Sequence, residues 1–180
     1  MKKLIIAMLL SPSLFAEEAR QNYHVVSIKA IALVKYDWPT LLADWALSFL
    51  PSRPGILGEA DPRHHAINIW IRDDESPKRV AEIIVHELAH KVDLMHLSPE
   101  QRAEWRKLRG IDPEVLWIHP SGKGKKVSDS DTSSGDFAEC VVWTIQGPSS
   151  TFSSRLGPPP SKVQQQVIRK WLAEIKTAGN

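Results

Sequence analysis

The segment from Ser76 to Met95 constrains the chain more than any other, because it can hardly be anything but one long helix. Ser76 is a natural N-cap and Pro77 suits the first helical position. Val80, Ile83, Ile84, Leu88, Val92 and Met95 then recur at helical spacing, which predicts an apolar stripe buried against a core. Leu97-Ser98-Pro99 ends this helix and starts another, with Ser98 and Gln101 in the positions of a capping box and Gly110 as the stop. Inside the first helix lies His86-Glu87-Leu88-Ala89-His90, with His86, His90 and the later Asp93 together on a face away from the stripe. Histidines at i and i+4 stand one turn apart on one side, where both imidazoles can grip a tetrahedral Zn²⁺. By chance the pattern arises on the order of once in a few hundred chains of this size.

Glu87 follows the first histidine, so it leans beside a metal rather than onto it. There it suits a general base that takes a proton from a metal-activated water and then returns it to a leaving amine. The motif resembles that of the zincin metallopeptidases, and three features exclude their metzincin branch. Asp93 stands where that branch needs a turn glycine, His96 would point away from His90 on a continuing helix, and no methionine follows Met95.

The remaining resemblance is to gluzincin-type zincins and covers about residues 65 to 145, specific at H-E-x-x-H and looser elsewhere. It implies an acidic third zinc ligand on a second helix, here the apolar run Asp136 to Gln146. Glu139 is the expected ligand, because Ala138-Glu139 followed by an apolar run looks like the third-ligand segment, and Asp136 is the alternative. Gly135 to Glu139 is also similar to the Glu-x-Phe-Ala-Glu segment of lethal-factor-like peptidases. In those the earlier Glu binds zinc, and this chain has Gly135 there. The acid not bound to zinc would hydrogen-bond a ligand histidine. Asp93, one turn past His90, is expected either to orient an imidazole, to hold the loop below, or to sit on the surface. His119 and Arg155 are candidates for stabilising an oxyanion, and His64-His65 reads as an exposed turn.

The fold class expected is α+β and zincin-like: a small mixed sheet, the active-site helix, and a mostly helical C-terminal half. Tyr23 to Val34 is rich in β-branched residues and reads as a strand. Pro39 to Leu50 reads as a helix stopped by Pro51, and Ile56 to Ala60 and His65 to Arg72 as short strands. The second of these, nearly continuous in apolar residues, fits an inner or covered strand. It is also the segment that zincin folds place at the edge above the zinc, where an extended peptide adds. Residues 118 to 135 read as a long loop, a lid over the cleft or simply mobile. Pro158 to Pro160 reads as a stiff linker into a final helix boxed by Ser161 and Gln164 and reaching about Ile175.

Met1-Lys2-Lys3, the apolar run Leu4 to Leu10 and the break before Ala16 have the layout of a bacterial-type signal peptide over residues 1–16. Residues 17–180 are then one exported domain, periplasmic or secreted, with no membrane span in the mature chain. With 180 residues, 42% of them hydrophobic, the chain can bury one real core. A net charge of +2 with no basic stripe argues against nucleic acid as a partner. A peptide or protein substrate, Zn²⁺ as cofactor and a monomeric state are the corresponding expectations. Cys140 is the only cysteine, which excludes an intramolecular disulfide and Cys-rich zinc sites; it is expected in the core. A rival from another class is a zincin-like domain that binds a protein or cell-envelope partner without cleaving it. A metal-free helical module is a second rival.

Overall fold

The structure, a computed structural model, describes residues 12–118, 128–148 and 150–178, with side chains between residues 23 and 175. In chain order the elements are α1 (Pro12–Leu33), α2 (Trp38–Leu42), β1 (Ala46–Pro51), β2 (Gly58–Asp61), β3 (Ala66–Ile71), α3 (Pro77–His96), α4 (Pro99–Arg109), a 3-10 turn (Asp129–Asp131), α5 (Ser133–Gln146) and α6 (Lys162–Ala178). This is an α+β fold with one small mixed sheet and a helical C-terminal half. Of the expected signal peptide, residues 1–11 lie outside the described residues. Among the described residues no helix is long and apolar enough to cross a membrane.

α3 runs through the middle and packs on α1, α5, α2 and the sheet. Its start follows the local chemistry: the Arg79 backbone N–H donates to Ser76 Oγ at 3.2 Å, with Pro77 at the first position. The next helix is boxed as expected, with Gln101 N–H donating to Ser98 Oγ and Ser98 N–H to Gln101 Oε1. Gly110 closes it at φ 66°, a left-handed conformation that glycine adopts without steric cost. Ser161 and Gln164 box α6 in the same way.

Two expected elements take other forms. Tyr23 to Leu33 is the end of α1, not a strand, and Val34 follows it. The buried and half-buried positions of this stretch are 23, 26, 27, 30, 31 and 34, a helical period, whereas Val25, Ile28 and Leu33 face outward. The side chains most deeply buried are the small Ser27 and Ala30, which let α1 approach α3 closely. The helix expected from Pro39 to Leu50 stops at Leu42. Ala43 at φ 49° turns the chain, and residues 46–51 become β1, parallel to β3 with Ala46 opposite Ala66 and Pro51 opposite Ile71. Pro51 is tolerated because β1 is an edge strand.

Of the two expectations for β3, an inner strand and the edge above the zinc, the inner one holds: the order is β1-β3-β2, with β2 antiparallel to β3. Its unbroken apolar run fits that place, since Ile67, Ile69, Trp70 and Ile71 are all buried. The edge nearest α3's motif is therefore β2. Within the expected 118 to 135 loop, residues 119–127, His119 included, lie outside the described residues. α5 begins at Ser133, three residues earlier than expected.

The core is completed by Trp105, Phe137 and Trp171, whose rings meet at 5.4 to 6.4 Å, and by Cys140, a buried free thiol. Beside them Asp136 is fully buried and grips Arg109 at two points, Oδ1 to Nη2 at 2.7 Å and Oδ2 to Nε at 2.9 Å, while Trp105 Nε1 donates to Oδ2 at 3.0 Å. Removing one member of such a pair strands the other charge. Arg109→Met is accordingly expected to lower unfolding free energy by about 3 kcal/mol, read by urea denaturation. A loss under about 1 kcal/mol would show that the pair is weak.

Candidate metal centre

His86 and His90 project from one side of α3, one turn apart, as the spacing requires. The two Nε2 atoms lie 3.1 Å apart, and each is close to Asp129 Oδ2, at 3.0 Å from His86 and 3.1 Å from His90. Donor atoms around a tetrahedral zinc, at its usual bond lengths, lie about 3.3 Å apart. Two imidazoles and a carboxylate are a donor set that zinc accepts, so this triangle fits such an ion; among the described residues these three form the one cluster of that kind. The same distances also suit a hydrogen-bonded His-Asp-His cluster without metal.

Asp129 belongs to the 3-10 turn that leads into α5, and Gly135 is what lets that turn come so close. A Cβ on residue 135 would overlap the Asp129 backbone carbonyl and lie 2.7 Å from Oδ2. The Asp129 carboxylate thus occupies the space into which a side chain at 135 would grow. The turn is tied down by Thr132, whose Oγ1 donates to the Asp129 carbonyl and accepts the Gly135 N–H.

Behind His90 stands a relay. Ser134 Oγ donates to Asp93 Oδ2 at 2.6 Å, and His90 Nδ1 lies 3.2 Å from the same hydroxyl. Asp93 is buried, not a surface residue; it also accepts from Arg102 Nε and Trp117 Nε1, both at 2.9 Å. It therefore both steadies an imidazole, through Ser134, and holds the segment below the site. His86 is fixed differently, by stacking on Phe152 with centroids 4.7 Å apart. Its Nδ1 is buried with no hydrogen-bond partner among the described residues, a feature that an ordinary ligand histidine avoids.

Glu87 is 6% exposed and lies against β2. A Cβ at Gly58 would overlap its carboxylate, and the Ala60 backbone N–H bonds it. Burial pushes its pKa up to about 7, with the nearby His90 opposing and Asp129 adding to the rise. Burial lowers His86 to about 4 despite its bond to Asp129. On His90 burial also disfavours charge, but the hydrogen bond and charge of Asp129, with Glu87 and Asp93 behind, outweigh it and raise the pKa to about 9. Asp129 itself is held well below the usual carboxylate range, burial being overcome by the two histidines.

A metal must displace the His90 proton, because only the neutral ring ligates. At pH 7 zinc binding is expected to release about one proton, and apparent affinity to rise with pH until about 9, where His90 is already neutral. Calorimetry in buffers of different ionisation enthalpy measures this; affinity independent of pH between 6 and 8 would contradict it.

The sequence-derived acids end in different places. Asp136 is turned into the core and spent on Arg109 and Trp105. Glu139, one turn after Gly135 on α5, is 7% exposed and lines the same cleft as His86 and Glu87, outside the three-donor cluster. Burial and the charges of Asp129 and Asp136 raise its pKa to about 7. The cleft has a volume of about 680 Å³; Leu57 and Gly58 line it near β2, and Phe152 and Arg155 line it from the segment before α6. Arg155 bonds Asp131 at 3.0 Å. His64 and His65 pair with Asp61 and Asp44 in an exposed turn, as expected. Sequence reasoning missed Asp129, Ser134 and Phe152. An acid shortly before an apolar helix was the only available signal for the first. No family model, curated protein or solved structure matches this chain.

Proposed function

We propose that the chain is an exported zinc-dependent peptidase of zincin-like fold, with His86, His90 and Asp129 holding the metal and Glu87 handling the proton. The observation that carries this reading is the convergence of three donor atoms, 3.0 to 3.1 Å apart, beside a buried carboxylate in an open cleft. Zinc held there would supply a Lewis acid that polarises a carbonyl and makes water acidic.

The chain's own residues would do the rest. Glu87, with its pKa near 7, is suited to accept a proton from the attacking water and to deliver it to the departing amine. Ala60 N–H and the bare face of Gly58 keep its carboxylate in place. Ser134 and Asp93 fix the His90 ring, and Phe152 shields His86 from water. The β2 edge, whose far side pairs with no other strand among the described residues, is the place for an extended peptide to add by main-chain hydrogen bonds. Arg155 is the candidate cation for a developing oxyanion.

Cleavage of a mixed peptide library by the purified, zinc-loaded protein tests the proposal. Activity that is abolished by a chelator and restored by zinc is expected. No cleavage of any library peptide at stoichiometric zinc would favour a non-cleaving binding domain.

A further inference from the structure

One acid of the cleft has no part in the chemistry above. Glu139 is more than nine-tenths buried, and its Oε2 has no hydrogen-bond partner among the described residues. A carboxylate left this way is costly unless something satisfies it.

The nearby cations, Arg79 and Arg155, act on Glu139 by charge alone and make their hydrogen bonds to other groups. Arg79 donates to Thr151 and lies 3.6 Å from the buried Glu82. Arg155 is bonded to Asp131, and the His90 charge is taken by Asp129. Pairing these groups off leaves Glu87 and Glu139 as the unmatched acids of the cleft, and Glu87 has its proton-transfer role. Glu139 also borders a second, smaller recess of about 30 Å³, walled mainly by Cys140, Trp143, Phe152 and the prolines 158 to 160. That recess has room for a water or a terminal nitrogen group but not for a whole side chain. An acid between an open cleft and a small, largely apolar recess is suited to receive the charged tip of a longer ligand.

We propose that Glu139 is a specificity-determining residue that receives a positively charged nitrogen of the substrate, either the N-terminal ammonium of a peptide or the tip of a Lys or Arg side chain. The proposal rests on the peptidase reading only for the substrate being a peptide. A buried acid facing such a nitrogen discriminates strongly against a neutral isostere, because the wrong partner leaves the charge unmatched.

The test uses matched peptides: Lys or Arg against norleucine at each position, and free against acetylated N-termini. Two readouts run in parallel. One is kcat/KM for the zinc-loaded wild type and Glu139→Gln. The other is equilibrium binding to zinc-loaded Glu87→Gln, with and without Glu139→Gln, which needs no cleavage. A preference of about 30-fold or more for one cationic set is expected in the wild type, falling to within about 3-fold in Glu139→Gln, with zinc content unchanged. Preference for free N-termini would identify the ammonium, and preference for Lys or Arg the side chain. Preference in binding without any cleavage would support Glu139's role while sinking the peptidase reading. The proposal is overturned by an absence of cationic preference in wild-type cleavage and in binding to Glu87→Gln. It is overturned equally by a preference that survives Glu139→Gln, or by a folded Glu139→Gln that has lost its zinc, since Glu139 would then be a metal donor.

Discussion

Glu87→Gln is expected to bind zinc as the wild type does and to cleave peptides about 10³-fold more slowly. The amide keeps the size and buried position of the carboxylate, so the packing of α3 on β2 around Gly58 is retained. What it loses is the ability to accept a proton. Of the other groups near the site, His90 is engaged by Asp129 and Ser134, and Glu139 projects from α5 rather than from α3 beside β2. The loss should therefore appear in kcat, with KM little changed, because ground-state contacts of the substrate are untouched. Steady-state kinetics on one good peptide measures it. Wild-type turnover by Glu87→Gln would remove Glu87 from the chemistry.

Asp129→Ala is expected to weaken zinc binding by more than about 100-fold, beyond what loss of an outer partner costs. Both histidines would keep their places on α3, since Ser134 and Phe152 hold them independently. Gly135→Ala reaches the same end by another route. The new methyl group meets the Asp129 backbone, so the 3-10 turn must move and carry the carboxylate away from the imidazoles. Weakened zinc binding in both variants, with helical content preserved, is the expected result of competition titrations against a chromophoric chelator. Unchanged affinity in both, with a loss in Glu139→Ala instead, would return the third position to Glu139.

That distinction marks where the sequence stops being legible. α3, α4 and α6 could be bounded closely because their limits are set by local chemistry: Ser76-Pro77, the Ser98 and Gln101 box, Gly110, and the Ser161 and Gln164 box. The face carrying His86, Glu87 and His90 followed from helical geometry alone. α1 was misread because its β-branched content was weighed above its period, and the period is carried by Ser27 and Ala30, which are not markedly apolar. β1 was misread because Leu47 and Leu50 suit helical spacing, while the pairing with β3 that fixes the strand is non-local. β3 shows the same conflict in one segment, since its continuous apolar run argued for a central strand and resemblance argued for an edge.

Asp129 left only a faint signal in the sequence, for a stronger reason. Its place depends on the absence of a side chain at 135 and on how the chain returns from α4, with Ser133 and Ser134 N–H groups bonded to the carbonyls of Leu116 and Trp117. Gly135 read from the sequence was a departure from the lethal-factor-like pattern. In three dimensions the departure and the acid belong together: the space vacated at 135 is filled by the carboxylate of 129. Phe152 is equally non-local, because its position against His86 depends on Thr151, whose N–H and Oγ1 both bond the buried Glu82 from α3.

Everything proposed for the cleft depends on two histidines of α3 and Asp129 holding one zinc ion. Elemental analysis combined with equilibrium zinc titration of the purified wild type and His86→Ala tests it most directly. One equivalent of zinc per chain, abolished in His86→Ala while circular dichroism shows the helices intact, is the expected result. A wild type that binds no zinc, or a His86→Ala variant that retains a full equivalent, would contradict it.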